Sequence, residues 1–517
     1  MSLVRNFATV GGATLSSRVL GFVRDSFMAA ALGTGPVADA FVVAFRLPNL
    51  FRRLFAEGAF QSAFVPLFAG TLEAAGDDEA RRFAEESLSA LLFAVLVLTV
   101  VAEVAMPVLM LVLAPGFGAD PQKFELAVLL SRIAFPYLAL ISLVSLYSGV
   151  LNGLDRFAAA AFSPALLNAT LIASLAVVFL TQAEGTRTAG LWLAAATTVG
   201  GVLQLGLLMV ALARARFHLA FRRPRMTVAV RGLMRLAGPG VIAGGVVQIN
   251  IVVGTMIASL QEGAVSWLYY ADRVYQLPLG IVGIAVGVVL LPDIAKRVRA
   301  GDFAAVNNSQ NRSLEFAMVL TLPAAAALVL FAQPITVGLF ERGAFTARDS
   351  AATAAALAAF GAGLPAFVLT RVFQPAFFAR ENTKTPMIFS AATVAVNVAL
   401  SLVLFPLLGH VGVAIATSAA SWVNVALLYA GLKRRDMFRM DPRARSALWR
   451  MSVAVAAMVA ALYAGEWALA PYSAMGGWIR VAALVAFVAG GGLAYAAAAL
   501  GFGAVRISDL RRAARRR

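Results

Sequence analysis

The sequence predicts an all-α polytopic membrane protein, and three observations support this fold class. Of the 517 residues, 61% are apolar and 13% are charged, whereas a soluble globular chain is about half apolar and a quarter charged. The apolar residues recur in runs of roughly 20 or more, the length that a helix needs to cross a hydrocarbon core of about 30 Å. Basic residues collect between alternate runs.

Charged or Gly/Pro-rich breaks delimit the elements in order. These breaks separate about fourteen predicted transmembrane helices, and an even number of spans places both termini on the same side of the membrane. The approximate ranges of the helices are 5–32, 37–69, 84–113, 124–151, 159–181, 189–213, 232–260, 265–295, 313–333, 351–378, 386–406, 411–432, 448–470 and 476–503.

The distribution of Lys and Arg predicts the orientation of these helices. With both termini inside, the cytoplasmic segments contain 30 of the 43 basic residues, and the opposite loops contain five. Short cytoplasmic loops accumulate Lys and Arg, so we expect a multi-pass protein with both termini cytoplasmic. The net charge of +17 then reflects topology and anionic lipid headgroups rather than nucleic-acid binding.

The first two predicted helices contain a dense cluster of charges. A charge at bilayer depth costs several kcal/mol on insertion scales, so the cluster should face a wet internal cavity. The planar guanidinium of arginine binds phosphate through two hydrogen bonds and keeps its charge. We interpret the cluster as an anion-binding chamber in a transporter, with a buried ion-pair network without ligand as the alternative. Its members are Arg18, Arg24, Arg46, Arg52 and Arg53 with Asp25, Asp39 and Glu57.

Helical periodicity aligns part of this cluster on predicted helix 2. Asp39, Arg46 and Arg53 recur every seven residues, and Asn49 and Glu57 flank them at steps of three or four. This spacing predicts one polar stripe along the helix. Further candidate charges of the chamber are Asp272 and Arg273 in predicted helix 8, and Arg371 in predicted helix 10 could face the cavity or make a helix–helix contact.

A faint internal repeat predicts two similar lobes. Pro136 and Pro365 are 229 residues apart in similar apolar contexts, and Asn168 and Asn397 have the same separation. Two six-helix lobes of the same orientation can rock about a midplane site and give alternating access. The predicted organisation is an N-terminal lobe at 1–220, a C-terminal lobe at 221–435, and a final helix pair with a basic cytoplasmic tail at 436–517.

Four segments resemble those of a known family. They are LSSRVLGFVRD, ADAFVVAFRLPNLFRRLFAEGAFQSAFVPLF, YYADRVYQLPLGIVG and ENTKTP. On these segments the sequence resembles the bacterial lipid II flippases of the MurJ or MviN family, in the multidrug/oligosaccharidyl-lipid/polysaccharide exporter superfamily. The resemblance implies two six-helix lobes in a V-shaped arrangement with a C-terminal helix pair.

The resemblance also implies a function in peptidoglycan biosynthesis. It is the translocation of lipid II, an undecaprenyl-diphosphate-linked disaccharide-peptide, from the inner to the outer leaflet of the bacterial cytoplasmic membrane. Implied partners are lipid II, membrane lipids and peptidoglycan-synthesis enzymes. The chain departs from some relatives at Gln276, where they carry a carboxylate. The family's essential arginines, implied to bind the diphosphate, match Arg18, Arg24, Arg52 and Arg273, and the supporting positions match Asp25, Asp39, Asn49, Arg53, Glu57 and Asp272.

Other functions fit these residues less well. An exporter of another polyprenyl-diphosphate-linked glycan could use the same chamber, whereas a multidrug antiporter of the same superfamily should carry buried acids instead of arginines. Short outer loops argue against an enzyme, and the lack of a GxxxxGKS/T motif argues against an ATP-driven pump. We expect no cofactor and no metal site, since the chain has no cysteine and two histidines. Coupling to the membrane potential or to a cation gradient is expected.

Overall fold

A computed structural model shows the chain as a series of α-helices. It describes residues 3–53, 60–475 and 477–505, without the side chains of 3–9, 239–244, 246–247, 281, 283–289, 473–474 and 478. Every regular element within these ranges is helical, so the predicted all-α class is confirmed. The predicted site residue Glu57 lies outside the described residues.

The helices are connected mostly by short turns, with a 3-10 helix at Pro115–Ala119 between the fourth and the fifth. In chain order they are α1 Leu3–Leu32, α2 Pro36–Phe51, α3 Gln61–Val104, α4 Met106–Leu113, α5 Pro121–Ala134, α6 Tyr137–Gly153, α7 Phe157–Leu180, α8 Arg187–Arg214, α9 Val228–Ala258, α10 Ala264–Arg299, α11 Phe303–Leu330, α12 Ala332–Phe340, α13 Ala347–Phe378, α14 Lys384–Leu408, α15 His410–Arg434, α16 Pro442–Ala474 and α17 Gly477–Gly501.

The helices follow the predicted segments in order, with several local differences. Predicted helix 3 is divided between α3 and α4, and the short helix α12 follows α11. α3 combines the end of predicted helix 2 with the first part of predicted helix 3, and Gly76 interrupts it with φ 82° and ψ −176°, a conformation that glycine adopts without steric cost. Predicted helix 4 is divided into α5 and α6 around Pro136, because proline lacks the N–H that would continue the helix. The two helices still form a single candidate span, Pro121–Gly153.

Ten helices within the described ranges are long and apolar enough to cross a membrane. This finding confirms the polytopic membrane class. α1, α2 and α10 are not among the ten, and these are the helices that contain the predicted chamber residues Arg24, Asp39 and Arg273. With 16 residues, α2 is shorter than a membrane-spanning helix, and α9 is also not among the ten.

Side-chain caps begin several helices. At the start of α13, Asp349 N donates to Thr346 Oγ1 at 3.4 Å and Thr346 N donates to Asp349 Oδ2 at 2.9 Å. At the start of α16, Ala444 N donates to Asp441 Oδ1 at 2.6 Å. Such caps satisfy first-turn N–H groups that have no partner within the helix. These helix starts are therefore determined by nearby residues.

The first of two compact units comprises Met1–Ser266 with Gly343–Phe345. Within it α1 packs on α7, α7 on α8, α3 on α6 and on α9, and α2 on α5. The segment 343–345 contacts the end of α1, where Ala344 N donates to Ala30 O at 2.8 Å. Gly33 has φ +62°, and a Cβ there would lie 2.5 Å from Ala344 O, so only glycine fits this approach.

The second unit comprises Trp267–Arg342 with Thr346–Arg517. α13 packs on α11, α12 and α15, α15 packs on α14, and α16 packs on α11 and α17. A core of buried apolar side chains joins α11, α13 and α15. The predicted lobe boundaries near 220 and 435 come from the internal repeat of the sequence and not from these two units. They stay a prediction.

Candidate substrate-binding site

Arg24 and Asp25 form a buried ion pair on α1. The Arg24 guanidinium donates to Asp25 Oδ1 from Nη2 at 2.6 Å and from Nε at 3.0 Å. Its Nη1 donates to Asn168 Oδ1 on α7 at 2.9 Å, and Asn168 Nδ2 donates to the Ser17 carbonyl at 3.0 Å. An amide of α7 thus holds the Arg24 guanidinium in one orientation.

Arg24 also connects α1 with α2. The central carbon of its guanidinium lies 5.5 Å from the centre of the Phe45 ring, within the range of a cation–π interaction. A buried charge without compensation is strongly destabilising. Asp25 and the ring of Phe45 both stabilise the charged form of Arg24 at this buried position.

Asp39, near the start of α2, is fully buried. Its Oδ1 accepts from the N–H and the hydroxyl of Ser266 at 3.0 and 2.7 Å. Its Oδ2 accepts from Gly263 N at 3.0 Å and from Lys123 Nζ at 2.7 Å. The donors at 263 and 266 lie at the beginning of α10, where N–H groups lack helical partners and favour an anion. Asp39 therefore attaches residues 263–266 to α2 and α5.

Lys123, near the start of α5, balances the charge of Asp39. The side chains of the pair are 6% and 0% exposed. The ammonium nitrogen also lies 4.3 Å from the centre of the Phe117 ring, as in a cation–π contact. Opposite charges attract strongly where water is excluded, so Asp39 is matched by a cation outside the predicted polar stripe.

Arg46, Asn49 and Arg52 lie towards the end of α2 or directly after it and are partly exposed. Arg46 Nη1 donates to Thr255 Oγ1 of α9 at 3.1 Å. Arg52 Nε donates to Asn49 Oδ1 at 3.1 Å, and Asn49 Nδ2 donates to the Phe45 carbonyl at 2.7 Å. Asn49 is therefore the residue that orients Arg52.

Arg18 and Arg53 are the exposed arginines of the predicted chamber. Arg18 lies six residues before Arg24 on α1, and Arg53 is the second residue after the end of α2. An exposed guanidinium is accessible to a phosphate group, which it can bind through two hydrogen bonds. Their role in anion binding stays a prediction.

The predicted residues of the second unit lie on α10. The guanidinium carbon of Arg273 is 4.7 Å from the centre of the Tyr269 ring, and Gln276 Nε2 donates to Asp272 Oδ2. Gln276, the position at which the chain departs from some relatives, thus orients the neighbouring carboxylate. Arg371 of α13 is exposed.

Within the first unit, several of the predicted residues take part in three sets of side-chain contacts. Arg24 pairs with Asp25, Asn49 contacts Arg52, and Asp39 belongs to the Lys123 network. Asp272 and Arg273 belong to the second unit. In the described part of the chain, no group of three or more acidic or histidine side chains could hold a metal ion.

Sequence reasoning missed several residues of these groups, and Lys123 and Asn168 are the clearest cases. Lys123 lies 84 residues from Asp39, and Asn168 lies 144 residues from Arg24. The only sequence feature of Asn168 is its separation of 229 residues from Asn397. An amide side chain in an otherwise apolar helix could have indicated such a contact, because a buried polar group needs a hydrogen-bond partner.

Comparison with known proteins places the chain among transporters. The family model described as "Lipid II flippase MurJ" matches residues 28–488. A protein of Rhizobium meliloti named "Probable lipid II flippase MurJ" is 50% identical over 519 residues, covering 100% of this chain and 97% of the relative. A protein of Burkholderia cenocepacia named "Lipid II flippase MurJ" is 37% identical over 447 residues, covering 86% of each.

Two solved structures share the fold. One described as "Lipid II flippase MurJ, inward closed conformation" superposes with a TM-score of 0.77 at 26% identity, covering 97% of this chain and 99% of the other. A multidrug resistance MATE family transporter of the MOP superfamily in an inward-facing conformation superposes with a TM-score of 0.68 at 16% identity, covering 81% and 94%. The second likeness concerns the fold alone.

Proposed function

Because this chain belongs to the family of the lipid II flippase MurJ, we propose that it carries lipid II from the inner to the outer leaflet of the bacterial cytoplasmic membrane. The observation that carries the proposal is the match to this family over residues 28–488. The chain is a transporter and not an enzyme. Its own residues add a positively charged region on α1 and α2, which suits a diphosphate.

The charge balance of this region supports binding of an anion. Five arginines lie on α1, α2 and the residue pair that follows, and they are accompanied by Asp25, Asp39 and Glu57. Lys123 compensates Asp39, so the cations of the region exceed its acids by three. A bound diphosphate would neutralise this excess, and the guanidinium geometry suits its oxygens.

The diphosphate contacts are assigned to particular residues. We assign them to Arg18, Arg24, Arg52 and Arg273. Arg18 is exposed and Arg52 is partly exposed. Asn168 orients Arg24, Asn49 orients Arg52, and the ring of Tyr269 packs on Arg273. Oriented guanidinium groups lose less side-chain entropy when they bind an anion.

Translocation proceeds by alternating access in this proposal. The fold is shared with a transporter of the MOP superfamily, and the recurrence of proline and asparagine at 229 residues supports two equivalent lobes at 1–220 and 221–435. Lobes of this kind rock about a midplane site. The excess of basic residues in alternate loops supports cytoplasmic termini.

The experiment measures lipid II on the outer face of cells depleted of their own flippase. The parent chain should restore surface lipid II, and Arg24→Ala at an equal membrane level should not. Arg223→Ala, an exposed arginine of the 215–227 loop, is the matched control and should behave as the parent. A well-expressed parent that moves a different polyprenyl-linked glycan would contradict the assignment to lipid II.

The membrane potential is the proposed energy source. Moving one elementary charge across 100 mV is worth about 2.3 kcal/mol, and the basic excess of α1 and α2 could sense this field. In proteoliposomes, translocation should rise with an imposed potential and fall at zero potential. A rate that is unchanged at zero potential but depends on a sodium or proton gradient would instead establish cation coupling.

A further inference from the structure

An open apolar groove crosses the second unit, with a volume of about 350 Å³. Three helices, α11, α13 and α15, supply most of its walls. Met440 and Leu448, just before and within the first part of α16, complete the lining. None of the charged residues of the proposed substrate site lines it. Representative wall residues are Leu314, Met318, Leu369, Phe373, Val425 and Leu448.

The groove is preformed because its walls belong to packed structure. Leu314, Phe373 and Val425 are members of the buried core of this unit. Trp422 is 44% exposed, yet its indole Nε1 donates to the Ala362 carbonyl at 3.0 Å, which fixes the ring as a side wall. A rigid apolar groove binds an apolar chain without the entropic cost of ordering its own walls.

The groove reaches to about the depth of one leaflet below the end of α15. Trp422 lies 12 residues before Arg434, the last residue of α15, which corresponds to about 18 Å along a helix. Half of a hydrocarbon core is about 15 Å thick. Tyr429 lies between these positions and also lines the groove. An acyl chain that begins at the headgroup level would therefore extend along the groove to the middle of the bilayer.

Basic residues surround the end of the groove at the headgroup level. Segment 433–450 contains seven basic and two acidic residues. Lys433 follows Tyr429 by four positions on α15, and Arg445 precedes Leu448 by three on α16, so each lies one helical turn from a wall residue on the same side. Both are exposed.

The two acids of the segment interact with other residues. Arg312 contacts Asp441, which also caps α16. Arg439 Nη2 lies 2.8 Å from Asp436 Oδ1, a pair on the exposed surface that contributes little to stability. Arg443 pairs with Glu315 of α11. Lys433 and Arg445 belong to none of these pairs, so they can contact a phosphate, as in basic pockets between helices that bind lipid headgroups.

We propose that this groove is a binding site for one anionic phospholipid of the surrounding leaflet. One acyl chain lies between α11, α13 and α15, and the phosphate contacts Lys433 and Arg445. A polyprenyl chain of the transported substrate is much longer than the groove, which favours a bilayer lipid as the occupant. The site is separate from the arginines assigned to the diphosphate.

Native mass spectrometry of the purified full-length chain tests the charge at the mouth. The protein is equilibrated with phosphatidylglycerol or with phosphatidylcholine of the same acyl chains. The parent should retain phosphatidylglycerol preferentially, and Lys433→Glu/Arg445→Glu should lower that preference at least about tenfold, since each basic residue near the headgroups attracts anionic lipid. The control, Arg223→Glu/Arg225→Glu, makes the same change of charge in another exposed loop and should retain the preference.

Crosslinking tests the groove itself. Phosphatidylglycerol with a photoreactive group in mid-chain should label peptides containing 369–373 and 422–429, and Ala426→Trp should abolish this labelling while circular dichroism and gel filtration stay unchanged. Equal retention of the two lipids, labelling elsewhere, or displacement of the probe by undecaprenyl phosphate at equal concentration would each overturn the proposal. The readout is lipid retention, so it does not depend on whether the protein transports lipid II.

Discussion

The Asp39 cluster and the Arg24 cluster both bury a charge within the first unit, but they balance it with different groups. Asp39 accepts from Lys123, Gly263 and Ser266, all distant in the chain. Arg24 pairs with its neighbour Asp25 and with one neutral amide. The Asp39 cluster thus connects separate segments, whereas the Arg24 cluster mainly positions one guanidinium.

This difference predicts different consequences of mutation. Loss of Asp39 leaves a buried ammonium and unsatisfied N–H groups at the beginning of α10, so stability should suffer first. Loss of an Arg24 contact changes the orientation of the guanidinium, while Asp25 keeps its other contacts. Transport should therefore fall more than stability. The following changes are ordered from the largest expected effect to the smallest.

Asp39→Ala should give the largest loss of stability. Removing one partner of a buried ion pair costs about 3–5 kcal/mol, because the remaining charge is buried without compensation. Thermal unfolding in detergent measures the effect. The double variant Asp39→Ala/Lys123→Ala should be more stable than the single variant Asp39→Ala. If the double variant instead loses as much stability as the two single variants together, the two residues are not coupled.

Arg24→Lys should abolish transport at a smaller cost in stability. The positive charge remains, but the planar group that contacts Asp25 and Asn168 is lost, which costs about 1.5–3 kcal/mol for hydrogen bonds to charged groups. Surface lipid II in flippase-depleted cells and unfolding in detergent are measured on the same variant. Normal transport by Arg24→Lys would mean that charge alone, and not the guanidinium, is needed.

Asn168→Ala should weaken transport while Arg24 and Asp25 remain paired. Two hydrogen bonds, to Arg24 and to the Ser17 carbonyl, are lost, with an expected cost of about 1 kcal/mol. We expect translocation rates to fall severalfold. Thr170→Ala on the same helix, whose hydroxyl donates only within α7, is the control and should transport normally.

Asn49→Ala should have the smallest effect on stability. Asn49 is partly exposed, and substitutions at such positions usually change stability within about 0.5 kcal/mol. Arg52 loses the amide that orients it, so the apparent affinity for lipid II should fall with little change in unfolding temperature. Unchanged affinity, measured with purified protein and labelled lipid II, would remove Arg52 from the assigned diphosphate contacts.

Much of the fold could be predicted from the sequence because it depends on local properties. Apolar runs of membrane-spanning length and the breaks between them gave the order of the helices, and the structure follows that order. The divided helix at Pro136 and the conformation of Gly76 also follow from residue chemistry, although their effect on helix boundaries appeared only in the structure.

The candidate site was predicted less completely. The arginines of α1 and α2 are recognisable because charges in apolar helices are rare. The spacing of Asp39, Arg46 and Arg53 predicts a polar stripe, but it gives no sign that Asp39 contacts Lys123. Side-chain partners in other helices are set by packing, which no periodicity within one helix describes.

The sequence by itself determined the membrane class, the order of helices and the excess of basic residues, since hydropathy, length and charge belong to each segment separately. The tertiary structure decided which charges meet. It brought Lys123 to Asp39 and Asn168 to Arg24 across 84 and 144 residues, and it formed the groove between α11, α13 and α15. The physical reason is that a buried polar group or an apolar wall acquires its partner only when distant helices pack together.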